Sequence, residues 1–137
     1  MDHEVFLDTS GFFSFVVKSD EKHARASEIV RETLKAGGRL VTTDYVIDET
    51  ATLLKVRGFG HIVSNLFDGI LSSRACRLDW MDQEHFNSTK AFFLKHRDHE
   101  WSFTDCFSFI IMRSYGIRNA LTKDVHFKEA GFLPLLA

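Results

Sequence analysis

The sequence predicts an α/β fold in which helices cover both faces of a parallel sheet. Short apolar runs alternate with longer amphipathic stretches along the 137 residues, and this alternation is typical of strands joined by helical crossovers. Such crossovers are right-handed and place consecutive strands parallel. The chain contains only eight Gly and one Pro, too few for a flexible linker. A single domain over residues 1–137 is therefore expected.

The first third of the chain is expected to form two strands separated by two helices. Apolar residues 5–7 predict a buried strand, and residues 10–17 predict a short apolar helix. Ser19 is the expected N-cap of a second helix. That helix ends at Gly37, because glycine favours the position after a helix. Residues 40–42 then predict the second strand.

Helical spacing of apolar residues dominates the middle of the chain. It predicts one helix over residues 44–57 and another over residues 62–71. Residues 77–80 predict a weaker strand, and residues 82–95 predict a further helix. Each helical stretch is long enough to cross the sheet between two parallel strands.

The last third has the clearest pattern. Residues 104–115 predict a strongly apolar helix that Gly116 closes, and residues 119–122 predict the next strand. Residues 133–136 predict a short strand at the edge of the sheet, because Pro134 cannot donate a ladder hydrogen bond. The expected sheet therefore has about five strands.

Composition and charge exclude several classes of protein. The 17 basic and 19 acidic residues give a formal charge of −2, which argues against nucleic-acid binding by charge neutralisation alone. Cys76 and Cys106 lack metal-ligand spacing and are expected to be buried thiols in a reducing compartment. The start carries no basic signal region, and the apolar runs fall short of the roughly 20 residues of a membrane span. A cytoplasmic protein without membrane segments is expected.

Four acidic residues are expected at the carboxyl edge of the sheet, where parallel sheets form their functional crevice. Asp8 and Asp124 follow predicted strands, whereas Glu49 and Asp105 lie in early turns of predicted helices. Each also has a structural interpretation. Asp is common in turns, Glu49 could be a solvated edge residue, and residues 102–105 fit a capping box that would explain Asp105.

A shared position for these acids favours a metal site. Two carboxylates about 4 Å apart repel each other by roughly 4 kcal/mol at the dielectric of a protein surface. A cation removes that cost, and hard oxygen ligands suit Mg²⁺ or Mn²⁺. A carboxylate-held ion beside a phosphodiester is a common arrangement for hydrolysis by activated water.

The segments that carry these acids resemble the PIN-domain ribonucleases, in particular the VapC-like toxins of toxin–antitoxin modules. The similar segments occur in the family's order and span nearly the whole chain. They are residues 5–10, 46–50, 102–106 and 121–127, the last running on to residues 131–132. The stretch from Trp101 to Phe132 is the most specific part.

The resemblance implies both a site and an activity. Asp8, Glu49, Asp105 and Asp124 match the family's metal-binding acids, and Ser10 matches the hydroxyl residue that helps hold the metal, its water or the phosphate. The family further implies a three-layer fold with a five-stranded parallel sheet. It implies Mg²⁺-dependent cleavage of RNA, with Mn²⁺ as an alternative ion, that leaves a 5′-phosphate and a 3′-hydroxyl. An antitoxin partner and a homodimer are implied as well.

Other functions and other residues stay open at this point. The alternatives are a metal- or protein-binding module without activity and a housekeeping RNA-processing nuclease. His126 could touch substrate, although packing within its loop is the favoured interpretation, and Lys123 could meet a phosphate or be an ordinary surface lysine. His96 and His99 stand three residues apart but lack the further ligands of a zinc site.

A phenylalanine-rich stripe near the start of the chain also has three interpretations. Phe12, Phe13 and Phe15 lie in the first predicted helix. Core packing is the favoured role for these side chains. The alternatives are a platform for stacking nucleic-acid bases and an interface for the apolar anchors of an antitoxin.

Overall fold

The computed structural model describes residues 3–137 and confirms the α/β fold class. Its strands are β1 (Glu4–Leu7), β2 (Arg39–Thr43), β3 (Cys76–Asp79), β4 (Asn119–Leu121) and β5 (Leu133–Pro134). Its helices are α1 (Thr9–Val16), α2 (His23–Lys35), α3 (Asp44–Val56), α4 (Val63–Ser72), α5 (Gln83–Lys95), α6 (Phe103–Tyr115) and α7 (Val125–Glu129). A 3-10 turn, Gly60–Ile62, precedes α4.

The five strands form one parallel sheet in the order β3-β2-β1-β4-β5. Strand β1 is central, and Phe6 pairs in register with Val41 on one side and with Ala120 on the other. The chain builds outward from β1 in one direction and then returns to add β4 on the opposite side. The carboxyl ends of β1 and β4 therefore meet at a topological switch point, where open α/β sheets usually bind ligands.

Phenylalanine side chains from the sheet and from α6 form much of the core. Phe6, Phe107, Phe109 and Phe127 are fully buried. The ring of Phe109 stands edge-on to Phe127 with 5.0 Å between centroids, a favoured aromatic geometry. The phenylalanine-rich composition thus serves interior packing, and it fixes α6 and α7 against the same face of the sheet.

Helix α1 packs unusually close to β4 because of one glycine. A Cβ atom added to Gly11 would lie 1.8 Å from the carbonyl oxygen of Leu121. No side chain fits that gap, so glycine allows the first turn of α1 to contact the end of β4. This contact brings the residues that follow β1 next to the residues that follow β4.

The predicted start of α2 is wrong. The helix begins at His23 with no side-chain cap, rather than at Ser19. The Asp20 carboxylate instead accepts hydrogen bonds from the Ser14 hydroxyl at 2.8 Å and from the Lys22 N–H at 3.0 Å. These bonds hold residues 17–22 in a turn and delay the helix.

The end of the chain contains one helix that the hydrophobic pattern did not predict. Asp124 accepts a hydrogen bond from the His126 N–H at 2.9 Å and so caps the five-residue helix α7. The expected edge position of Pro134 is confirmed, since β5 pairs only with β4 in the sheet order.

The two cysteines are free thiols. Cys106 is buried, as predicted, whereas Cys76 is half-buried. Burial raises the pKa of each thiol to about 11, so both stay protonated at neutral pH. Among the described helices, none has the length and hydropathy that a membrane crossing requires.

Candidate functional site

The candidate site lies at the carboxyl ends of β1 and β4. Asp8 directly follows β1 and is 6% exposed. Asp124 follows β4 and caps α7. Asp105 lies in the first turn of α6 and is 9% exposed. The fold therefore brings together three acids that are far apart along the chain.

Asp8 is the most deeply buried acid of the site. Its Oδ2 accepts a hydrogen bond of 2.8 Å from the hydroxyl of Thr122, itself fully buried. Burial raises the pKa of Asp8 to about 7, against the lowering effect of the Thr122 hydrogen bond. The nearby charges of Asp105 and Asp124 raise this pKa further. The cluster thus has an unfavourable excess of negative charge that a cation would relieve.

Asp105 caps α6, as one interpretation of the sequence had it, and also lies within the acidic cluster. Its N–H donates to the Ser102 hydroxyl at 3.0 Å, and its Oδ2 accepts from the Ser102 N–H at 3.1 Å, which completes a capping box. The same carboxylate lies 3.3 Å from Nδ1 of His126. Burial, with a contribution from the charge of Asp124, raises the pKa of Asp105. The cap therefore fixes a carboxylate that also faces the site.

His126 belongs to the acidic cluster, so the favoured interpretation of simple loop packing is corrected. Its Nδ1 lies 3.3 Å from Asp105 Oδ2 and 3.5 Å from Asp124 Oδ1. Burial alone would lower the pKa of His126, but the charges of Asp124 and Asp105 outweigh it and raise that pKa. The physical reason for the placement is α7, which starts at Val125 and turns the imidazole towards α6.

Glu49 lies at the rim of the site rather than within the cluster. It is exposed on α3, and its Oε1 accepts a hydrogen bond of 3.0 Å from the hydroxyl of Thr9. Thr9 directly follows Asp8, so this bond connects α3 to the start of α1. The donor atoms that lie close enough to share one ion come from Asp105, Asp124 and His126. Neither Glu49 nor Asp8 belongs to that group, so Asp8 lies beside it.

Ser10 is tied to the loop after β4. Its Oγ accepts the N–H of Lys123 at 2.8 Å and lies 3.1 Å from Oγ1 of Thr122. Since the single hydroxyl proton of Thr122 is used on Asp8, Ser10 is the donor in that second contact. Ser10 therefore orients Thr122, and through it Asp8.

Thr122 is a site residue that the sequence reasoning did not single out. Its Oγ1 donates to Asp8 and accepts the N–H of Asp124 at 3.0 Å. The signal was a threonine two residues before an aspartate at the end of a strand, a spacing that suits a side-chain-capped turn. One buried hydroxyl thus connects two of the predicted acids.

Lys123 is held by an ion pair with Asp20. Its Nζ lies 3.1 Å and 3.2 Å from the two carboxylate oxygens of Asp20. Hydrogen bonds from Ser14, from the Lys22 N–H and from Lys123 outweigh burial and lower the pKa of Asp20. The ion pair ties the loop after β4 to the turn between α1 and α2.

The donor set fits a divalent metal ion. One donor atom each from Asp105, Asp124 and His126 lie within 4.8 Å of one another, and the Asp8 carboxyl carries a pKa raised by burial beside them. Carboxylate oxygens suit Mg²⁺ and Mn²⁺, and imidazole nitrogen suits transition-metal ions. The residues present could therefore hold such an ion.

Known proteins are similar to this chain in both sequence and fold. The PIN domain family matches residues 5–133. The 23S rRNA-specific endonuclease VapC20 from two strains of Mycobacterium tuberculosis is 30% identical over 129 residues, covering 94% of this chain and 95% of the relative. The crystal structure of M. tuberculosis VapC20, described as a Sarcin-Ricin loop cleaving toxin, has a TM-score of 0.79 at 30% identity. The structural match covers 94% of this chain and 96% of the VapC20 chain. All four predicted acids fall within the matched residues, and the chain belongs to the PIN domain family.

Proposed function

We propose that this protein is a metal-dependent endoribonuclease that hydrolyses phosphodiester bonds of RNA. The observation that carries the proposal is the meeting of Asp8, Asp105 and Asp124 at the carboxyl ends of β1 and β4, in a chain of the PIN domain family. The charges of Asp105 and Asp124 raise the pKa of Asp8, so three ionised acids here without a cation would be a net cost to stability. Open α/β sheets usually bind ligands at the switch point, so an unfavourable cluster of acids there indicates a functional site.

The acids would hold one or two Mg²⁺ or Mn²⁺ ions. Asp8, Asp105 and Asp124 would bind the metal, and Glu49 would complete or orient the site from its rim. When bound, the ion supplies Lewis-acid chemistry for attack of water on phosphorus. The protein positions the groups around it, because the capping box fixes Asp105 and the Thr122 hydroxyl fixes Asp8. The products would carry a 5′-phosphate and a 3′-hydroxyl.

The Asp105→Asn variant tests this proposal. Asn keeps an oxygen that can accept the Ser102 N–H, so the capping box and the fold should persist. Cleavage of RNA in the presence of Mg²⁺ or Mn²⁺ should be abolished. Asp98→Asn is the matched control, since the Asp98 side chain is 79% exposed and its variant should cleave like the wild type. Full activity of Asp105→Asn would refute the assignment.

Ribosomal RNA is the first substrate to test. The relatives named above are a 23S rRNA-specific endonuclease and a Sarcin-Ricin loop cleaving toxin. At 30% identity, we extend to this chain the class of substrate, a folded RNA with an accessible loop. Incubation with ribosomes and with isolated RNA, followed by mapping of the cut ends, would identify the site.

The biological role follows from the same relatives. The chain would act in the cytoplasm as the toxin of a toxin–antitoxin pair, and as a homodimer. Expression without a partner should slow growth, and Asp8→Ala should relieve the effect. Normal growth with active protein would instead favour a housekeeping role in RNA processing. Light scattering on the purified protein tests the dimer.

An apolar groove offers a site for an antitoxin segment. The groove has a volume of about 240 Å³ and lies between α1, α2 and α4 over one face of the sheet. Phe12 is buried at its base, whereas Leu34 is 41% exposed at its wall. The occupant would be an apolar stretch of the antitoxin, as the toxin role requires a partner. Leu34→Lys should weaken capture of that antitoxin and leave RNA cleavage unchanged.

A further inference from the structure

The imidazole of His126 lies among the acids of the site. Its Nδ1 lies 3.3 Å from Asp105 Oδ2 and 3.5 Å from Asp124 Oδ1. The side chain is 29% exposed, so the ring is partly accessible to solvent. The cluster thus contains a nitrogen donor beside two oxygen donors.

These spacings match those between ligands of a single ion. Ligands about 2.1 Å from an octahedral ion lie about 3 Å apart along an edge of the octahedron. The two distances from Nδ1 exceed that edge by a few tenths of an ångström. All three donor atoms lie within 4.8 Å of one another, so side-chain rotation could bring them onto one ion.

The backbone already orients each of the three donors. The Ser102 N–H fixes the Asp105 carboxylate at 3.1 Å, and the N–H of His126 itself fixes Asp124 Oδ1 at 2.9 Å. Because His126 is the second residue of α7, the helix holds the ring towards α6. Ligands held in this way lose little entropy on binding a metal.

From this geometry we propose that Nδ1 of His126 is a direct ligand of the metal, and that the site prefers Mn²⁺ over Mg²⁺. This inference rests on the proposed metal site of the nuclease. Mg²⁺ takes oxygen ligands almost exclusively, whereas imidazole is a good ligand for first-row transition ions. A site that adds one nitrogen donor to its carboxylates therefore binds Mn²⁺ more tightly than an all-oxygen site would.

Pulsed electron paramagnetic resonance of Mn²⁺ bound to the wild-type protein tests the ligand directly. A coordinated imidazole adds a ¹⁴N modulation to the spin echo, and carboxylates and water do not. We expect this modulation in the wild type and in His61→Gln, a control at an exposed histidine of the 3-10 turn. We expect its loss in His126→Gln.

Titration calorimetry supplies the second readout. His126→Gln should weaken Mn²⁺ binding about 10- to 100-fold, the range lost when a metal site loses a supporting group, and should change Mg²⁺ binding much less. Circular dichroism shows whether the variant folds. If the variant does not fold, the ¹⁴N modulation of the wild-type protein still tests the proposal.

The outcomes separate this inference from the proposed nuclease. Bound Mn²⁺ without ¹⁴N modulation, in a protein that cleaves RNA, would overturn the ligand and leave the nuclease standing. Modulation without RNA cleavage in either ion would support the ligand and overturn the nuclease. Equal losses of Mn²⁺ and Mg²⁺ affinity in His126→Gln would contradict the preference for Mn²⁺.

Discussion

Replacing Asp8 by Asn is expected to stabilise the metal-free protein above neutral pH and to abolish its stabilisation by divalent ions. Burial raises the pKa of Asp8 from 3.8 to about 7. The folded protein therefore binds this proton more tightly than the unfolded chain does. Between these two pKa values the free energy of unfolding falls as pH rises, and above pH 7 the loss is complete.

The magnitude follows from the size of the shift. A difference of about three pH units corresponds to about 4 kcal/mol between full protonation and full ionisation of Asp8. From about pH 5.5 to about pH 8, the expected loss from this residue is about 2 kcal/mol. Asn cannot ionise, so the variant should lack this component of the pH dependence.

Urea unfolding in the presence of a chelator measures the effect. The difference in free energy of unfolding between Asp8→Asn and the wild type should grow in favour of the variant by about 2 kcal/mol over that pH interval. A divalent ion at about 100 times its dissociation constant should then add about 2.7 kcal/mol to the wild type and little to the variant. If the free energies of unfolding of the two proteins depend on pH in the same way, the raised pKa of a buried Asp8 carboxyl is refuted.

Two further substitutions test how the site is held. Thr122→Val removes the hydroxyl that donates to Asp8. It should lower the free energy of unfolding by about 1–3 kcal/mol in a urea titration at about pH 8. Thr122→Ser keeps the hydroxyl and should retain most of the stability in the same titration. Gly11→Ala places a Cβ against the carbonyl oxygen of Leu121. It should lower the free energy of unfolding by about 1–3 kcal/mol or more, measured by thermal unfolding. Its control is Gly69→Ala, where nothing lies within 4 Å of the added Cβ; that change should be neutral or slightly stabilising, and equal losses at both glycines would contradict the close approach.

Sequence signals within a few residues of each helix or strand were sufficient to predict most of the fold. The predicted helix over residues 82–95 is observed as α5, because Asp82 accepts the His85 N–H at its start. Helix α6 ends at Gly116, whose φ of 68° is the left-handed conformation that favours glycine. Caps and terminal glycines are encoded within a few residues of the element that they end, so they can be predicted from sequence.

The features that were missed depend on contacts between distant parts of the chain. Asp20 forms a turn instead of starting α2, partly because its carboxylate pairs with Lys123, 103 residues away. Helix α7 spans five residues, too few for a periodic hydrophobic pattern. The direction of His126 depends on that helix, so the sequence could place the histidine near Asp124 but could not point it at Asp105.

The predicted acids differ in how far sequence alone could locate them. Asp8 and Asp124 follow directly from strand ends, since adjacent parallel strands bring their carboxyl ends together. The helical position of Glu49 left open whether it would face the buried stripe or the solvent. Packing of α3 against α1 turns it outward to Thr9, a relation between helices that no local pattern contains.

Sequencing of RNA ends after brief induction tests the central claim most directly. Cells expressing the wild-type protein are compared with cells expressing Asp105→Asn at the same level. We expect new 5′-phosphate ends at a restricted set of RNA sites with the wild type, and their absence with the variant. The same new ends with both proteins, or none with a folded wild type that binds divalent ions, would contradict it.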